Sequence, residues 1–191
     1  IVKIFTRIEP TTIHTVGDRF KRDVVVKRFR TEDGLEHEFT TFYPEHQQGA
    51  AVIGLTSDCQ VVVVRQFRPG RASYCYEIPG GGPEDADDEN IEAVARREFF
   101  EETGYKPGGV EYLGVYSWDA YTNHSSHYFL ATDCYFAGEP PRDQTEIDQG
   151  IETVLISIDQ LIENAKTNQM TDAVAVLMAY DTLKELQGGK S

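Results

Sequence analysis

The chain has 191 residues, 40% of them hydrophobic and 26% charged, proportions of an ordinary globular domain long enough to bury a core. Its 18 basic and 32 acidic side chains leave a net charge of −14. Such a surface repels nucleic-acid backbones and anionic membranes, which excludes both as general partners.

The first residues, "IVKIFTRIEP", have no signal-peptide pattern and no initiator Met, so an earlier leader stays open. No apolar run approaches the ~20 residues of a membrane span. Cys59, Cys75 and Cys134 are widely spaced and form no C-x-x-C pair, which fits inert thiols in a reducing compartment; the cytoplasm is the expected location. Residues 11–43 read as short strands and turns: 22–29 alternates, 31–36 is a turn signal and 37–43 resumes. They form an N-terminal β extension, residues 1–47, ahead of a main domain, residues 48–191.

Within the main domain, 49–56 and 60–67 are continuous apolar runs, the pattern of strands buried on both faces. Residues 73–79 make a further strand, ended by Pro79 and the triplet Gly80-Gly81-Gly82. After an acidic loop, 89–103 is the clearest helix, closed by Gly104. Strands follow at 110–117, 126–136 and 151–157. A helix begins near Ser157, where Gln160 three residues on completes a capping box. Residues 171–186 read as one amphipathic helix capped by Thr171 or Asp172. Mixed strands with few helices predict an α/β (α+β) fold, a sheet sandwiched by helices.

The helix at 89–103 carries the chemistry. At about 100° per residue, Ile91, Val94, Ala95, Glu98, Glu101 and Glu102 share one stripe with core-facing spacing. Its second half replaces apolar residues with three glutamates, while Glu92 and Arg96 lie opposite. Inward-facing carboxylates are costly unless compensated. Arg97, one turn before Glu101, pairs with at most part of that charge, so divalent cations are the economical solution. A donor set of oxygens without His or Cys favours Mg2+ or Mn2+ over Zn2+. Glycine at 80–82 permits close approach to a ligand, and a backbone carbonyl there is a further candidate donor. The loop is neither a P-loop nor a dinucleotide fingerprint, and the acidic run 84–89 does not fit an EF-hand.

Glu89, seven intervening residues, and then Arg97-Glu98-Phe99-Phe100-Glu101-Glu102-Thr103-Gly104-Tyr105 resemble the Nudix box, G-x5-E-x7-R-E-U-x-E-E-x-G-U. The departure is at the front, where seven residues separate Gly81 from Glu89; a two-residue loop insertion keeps Gly81 as the family glycine. The resemblance implies the Nudix α/β/α sandwich with a mixed sheet, and hydrolysis of a nucleoside diphosphate linked to another moiety with Mg2+ or Mn2+. By the same carry-over Glu98 and Glu102 are metal ligands, Glu101 is a direct or water-bridged ligand, the Gly81 carbonyl is a further donor, Arg97 orients the cluster and Glu89 supports the loop.

Outside the box, 61–70, 76–82 and the final helix resemble the ADP-ribose and nucleotide-sugar pyrophosphatase branch. In that branch the β extension often swaps between two subunits, which implies a homodimer. Arg65 and Arg68 are alternative contacts for phosphate or ribose. A late acidic loop implies a water-activating acid, with Glu146 first, Asp148 second and Glu152 third. Where ADP-ribose enzymes commonly place a proline, fifteen residues past the box, stands Ala120; Tyr121, one further, is a position where tyrosine accompanies dinucleoside polyphosphate hydrolases and is a candidate substrate contact. The competing readings are a Nudix hydrolase of dinucleoside polyphosphates or NADH, and a Nudix-fold sensor that binds a nucleotide sugar without cleaving it. His124 and His127, three apart at a strand, point to opposite faces and do not make a metal pair.

Overall fold

A computed structural model of the chain describes residues 3–17, 22–43, 48–84, 90–142, 144–148 and 150–188, with the side chains of 145 and 146 excepted. The chain divides into two compact units: residues 1–48 with 117–125, and residues 49–116 with 126–191.

The first unit is an antiparallel sheet of β1 (Phe5–Val16), β2 (Arg22–Thr31) and β3 (Glu36–Phe42), in that order. The strand β1 escapes a reading of the sequence because Pro10 interrupts it and its side chains are mostly exposed; the register shifts between Ile8 and Thr12, where Pro10 is accommodated. Residues 121–123 extend the far edge: the Phe42 N–H donates to the Tyr121 carbonyl, and the Asn123 N–H donates to the Phe42 carbonyl. Asn123 then donates its side-chain amide to Thr41 and to the Tyr43 carbonyl. One face gathers Phe5, Phe29 and Phe39 edge to face.

The second unit holds the larger sheet. Its strands are β4 (Gln48–Thr56), β5 (Val61–Arg68), β6 (Ser73–Glu77), β7 (Gly80–Gly81), β8 (Tyr105–Lys106), β9 (Gly109–Ser117), β10 (Ser125–Phe136) and β11 (Glu152–Ile156). The order is β11-β5-β4-β10-β8, with β6 on β5, β7 on β4 and β9 on β10. The pairings of β5 with β4, β6 and β11 are antiparallel, while a parallel bridge joins Tyr76 to Met170, so the sheet is mixed.

Alternation along β4, β5 and β10 sorts the core into two layers. Ile53, Leu55, Val61, Val63, Tyr128 and Leu130 pack on one face against α3 (Ile158–Lys166), α4 (Ala173–Met178) and α5 (Tyr180–Gly188). Ala50, Val52, Val62, Phe129 and Ala131 pack on the other against α1 (Ile91–Thr103). A fifth helix, α2 (Gln144–Asp148), precedes β11. Continuous apolar strands are thus covered on both faces by helices, the α/β/α sandwich expected of such runs. No described helix is long and apolar enough to cross a membrane.

Two details differ from the local reading. The final helix is two segments parted at Ala179, at φ −92° and ψ 0°; the hydrogen bonds from the Ala179 N–H to the Ala175 carbonyl and from the Leu183 N–H to the Ala179 carbonyl keep them in series. Asp172 occupies the N-terminal position of α4 without capping it, since its carboxylate is engaged elsewhere. At α3, Ser157 accepts from the Gln160 N–H, but the Gln160 side chain turns to Asn164, so only half of the capping box forms.

Candidate active site

The helix α1 begins at Asn90, whose side chain accepts from the Glu92 N–H, and ends at Gly104 in the left-handed region at φ 77°. Glu89 lies outside the described residues. Val94, Ala95 and Phe99 are fully buried, so the inner face is turned toward Phe99 relative to the stripe that periodicity predicts. Gly54 on β4 makes this seat possible: a Cβ there would lie 2.4 Å from the Phe99 ring. With Phe99 as the anchor, the three glutamates are graded by depth. Glu102 is buried at 8% exposure, the Glu98 side chain is 16% exposed and that of Glu101 is 32% exposed.

Each acid has a compensating partner. A Glu102 carboxylate oxygen accepts from the Gly80 N–H at 2.9 Å. Arg97 donates to Glu98 at 3.0 Å, to Glu101 at 2.8 Å and to the Gly82 carbonyl at 2.9 Å. Gly81 lies directly against Glu98, where a Cβ would stand 2.5 Å from the carboxyl carbon. The glycine triplet and the helix therefore form one constellation: Gly80, Gly81, Gly82, Arg97, Glu98, Glu101 and Glu102. Among the described residues no three His, Cys, Asp or Glu side chains converge into a ready-made cation cage. The reason is visible in the pairing: Arg97 holds Glu98 and Glu101, while an amide holds Glu102. The donor set still fits a hard cation that keeps part of its water shell, since Mg2+ commonly takes one or two carboxylates plus water and substrate oxygens.

Next to this constellation lies a buried acid that the sequence reading missed. Glu77, at 5% exposure, accepts from Gln66 at 3.0 Å, from Arg68 Nε at 2.6 Å and from Arg68 Nη2. The signal was available: Gln66 and Arg68 alternate on β5, and the hairpin register brings β6 beside them, with Gln66 opposite Cys75 and Val64 opposite Glu77. Arg68 also lies within the field of Glu102 and Asp172. Asp172 accepts from the Thr171 hydroxyl at 2.7 Å and from the Ile78 N–H at 3.4 Å. Burial pushes its carboxyl up to about 6, and the Glu77 charge adds to the rise, while Thr171, the Ile78 amide and Arg68 oppose it.

The two candidate arginines part company. Arg68 shares the strand face of Val62, which packs with α1, whereas Arg65 shares that of Val61 and Val63. Arg65 stacks over the Tyr74 ring at 4.8 Å and reaches Glu152 at 3.4 Å, directly across β11. Glu146 is on α2, and its side chain lies outside the described residues; Asp148 accepts from Gln144 at 2.8 Å. Tyr121 is in the first unit, 62% exposed, where it lines a cavity with Phe29, Phe39, Lys27 and Asn123. His124, also in that unit, meets the Trp118 ring edge-on at 4.6 Å, while His127 on β10 bonds Tyr112 at 2.8 Å. The three cysteines are free thiols, and burial pushes that of Cys134 up to about 12.

Known proteins resemble the chain in sequence and in fold. The NUDIX domain family model matches residues 45–177, more than half of the chain. The chain is 27% identical over 143 residues to a protein of Bacillus subtilis strain 168 named ADP-ribose pyrophosphatase, covering 74% of this chain and 75% of that one. A shorter stretch of 46 residues is 56% identical to the ADP-sugar pyrophosphatase of Mus musculus, 24% of this chain and 20% of that one. A solved structure described as an ADP compounds hydrolase shares the fold at a TM-score of 0.73, 16% identity and 95% coverage of both chains. With an acidic helix and glycine loop of the expected pattern on a matching fold, the chain belongs to the Nudix family of pyrophosphohydrolases.

Proposed function

We propose that the protein hydrolyses a nucleoside diphosphate linked to a second moiety, ADP-ribose or another nucleotide sugar first, to a nucleoside monophosphate and a sugar phosphate, with Mg2+ or Mn2+. The observation that carries the reading is the partly buried row Glu98, Glu101 and Glu102 on one helix face, packed against a glycine loop with one arginine among them. The names of the Bacillus and mouse relatives support the substrate class.

Glu98, Glu101 and Glu102, with the Gly81 carbonyl, would hold the cation. A bound divalent ion supplies neutralisation of phosphate charge and acidification of a water. The residues do the rest. Arg97 keeps Glu98 and Glu101 on one side of the helix, and the Gly80 amide keeps Glu102 an acceptor aimed at the loop. Arg68, oriented by Glu77 and on the α1 face, is the cation we assign first to the diphosphate or ribose, with Arg65 as the alternative. Glu146 is the acid we assign to receive the proton of the attacking water, and Tyr121 is the substrate contact in the first unit. The β extension of residues 1–47 is the element we assign to pairing two copies into a homodimer, and the cytoplasm is the compartment that three free thiols favour.

Hydrolysis of ADP-ribose, GDP-mannose, a diadenosine polyphosphate and NADH, each with Mg2+ and with EDTA, tests the reading. Selective Mg2+-dependent release of AMP from ADP-ribose is the expected result. Preference for another substrate would move the assignment while keeping the chemistry. Tight binding of ADP-ribose without cleavage would replace it with a sensor.

A further inference from the structure

The mechanism above leaves Arg142 unused, yet it is one of the most fully bonded arginines described. Its Nη2 donates to the Glu102 carbonyl at 3.0 Å and to Thr153 Oγ1 at 2.7 Å, and its Nε reaches the same carbonyl at 3.4 Å. Its Nη1 donates to the Ile151 carbonyl at 2.9 Å. Each of these acceptors is neutral, in a chain where acids far outnumber bases.

Two features explain why an arginine serves here. The last turn of α1 contains no basic residue of its own to face the negative end of the helix. Its final carbonyls need donors from elsewhere. Gly104 N–H serves Phe100, the Thr103 hydroxyl serves Phe99, and Thr153 with Arg142 serves Glu102 and Thr103. The planar guanidinium fork reaches a helix end, a strand hydroxyl and a loop carbonyl at once, which a lysine ammonium on a single point does not reproduce. Arg142 and Ile151 also bracket the stretch that contains α2. The bond from Arg142 to the Ile151 carbonyl closes that stretch at its base, while the same guanidinium holds the carbonyl of Glu102, whose side chain is the deepest of the three glutamates.

We propose that Arg142 is a positioning residue, fixing the α2 segment that carries Glu146 to the C-terminal turn of the helix that carries Glu102. The inference rests on the hydrolase reading and on Glu146 as the acid that receives the proton. A single guanidinium then sets the separation of two elements that must meet the same substrate, and a displacement of about 1 Å there costs about 100-fold in rate.

The test uses the full chain and the variants Arg142→Ala, Arg142→Lys and the milder Thr153→Val. Three readouts are taken: steady-state kinetics on ADP-ribose with Mg2+, Mn2+ binding by calorimetry without substrate, and hydrogen exchange of residues 143–150. Arg142→Ala is expected to lower kcat about 100-fold, with KM within about threefold and Mn2+ affinity within about twofold. Exchange in 143–150 should rise, and millimolar methylguanidine should restore part of both kcat and protection. Arg142→Lys should resemble the alanine variant, and Thr153→Val should lose about tenfold or less in kcat. Unchanged kcat alongside faster exchange would overturn the proposal. So would a loss of Mn2+ affinity matching the loss of kcat, or unchanged exchange. If the wild type cleaves none of the nucleotides, the hydrolase reading fails by itself, while exchange and its rescue still report on the latch.

Discussion

The two faces of the larger sheet are built from alternate residues of the same strands, yet they are held by different physics. Under α3, α4 and α5 the contact is apolar, with Leu161, Ala175, Val176, Ala179 and Leu183 removed from water. Under α1, apolar packing stops after Phe99, and the face continues as acids answered by Arg97 and by the Gly80 amide. A helix needs only one half of its stripe to stay docked; the other half is then free to carry charge at graded depth. Stability and chemistry are thereby assigned to separate layers, and mutations should separate them too.

Glu102→Gln gives the largest effect on the acidic layer. It removes a ligand carboxylate and keeps an acceptor for Gly80, so kcat should fall by about 10²–10³-fold with an unchanged fold by circular dichroism. Normal turnover in that variant would remove the metal-helix mechanism. On the opposite face, Leu161→Ala should lower unfolding free energy by ~2–5 kcal/mol in a denaturant titration, with kcat per folded molecule unchanged. A comparable loss of kcat there would show that the two layers are not separable.

Asp172 sharpens the contrast, since it is a partly buried acid that α1 does not carry. A carboxyl raised from 3.8 to about 6 favours the folded state fully below its ordinary value and loses that contribution as the pH rises through about 6. Glu77 and Arg68 are the charged neighbours that set the balance, with the Tyr128 hydroxyl also in its field. Asp172→Asn should flatten the stability difference between pH 4 and 7 and raise stability at pH 7 by on the order of 1–2 kcal/mol. Parallel stability curves for variant and wild type would contradict this. The smallest effect is expected from Gly81→Ala. Its new Cβ meets the end of a flexible side chain, so Glu98 gives way and Mn2+ affinity drops about tenfold with little change in thermal midpoint.

The sequence by itself determined the longer strands and the helices α1 and α3 of the second unit, and the row of acids on α1, but not β7, β8, α2 or the division of the final helix. Continuous apolar runs mark strands buried on both faces, the break in the stripe of α1 marks its acidic half, and the glycine triplet marks the loop that packs against it. These are local signals, because periodicity and special dihedrals act within a few residues of each other. Tertiary structure alone decided what depends on residues far apart in the chain. It turned α1 onto Phe99, paired Arg68 with Glu77 and Arg65 with Glu152, drew Asp172 from its capping position to Ile78, and joined residues 117–125 to the first unit. It also brought Arg142 to the end of α1, forty residues earlier. A hydrogen-bond partner across such a distance leaves no period in the sequence; it is selected only when the fold presents a carbonyl that lacks a donor.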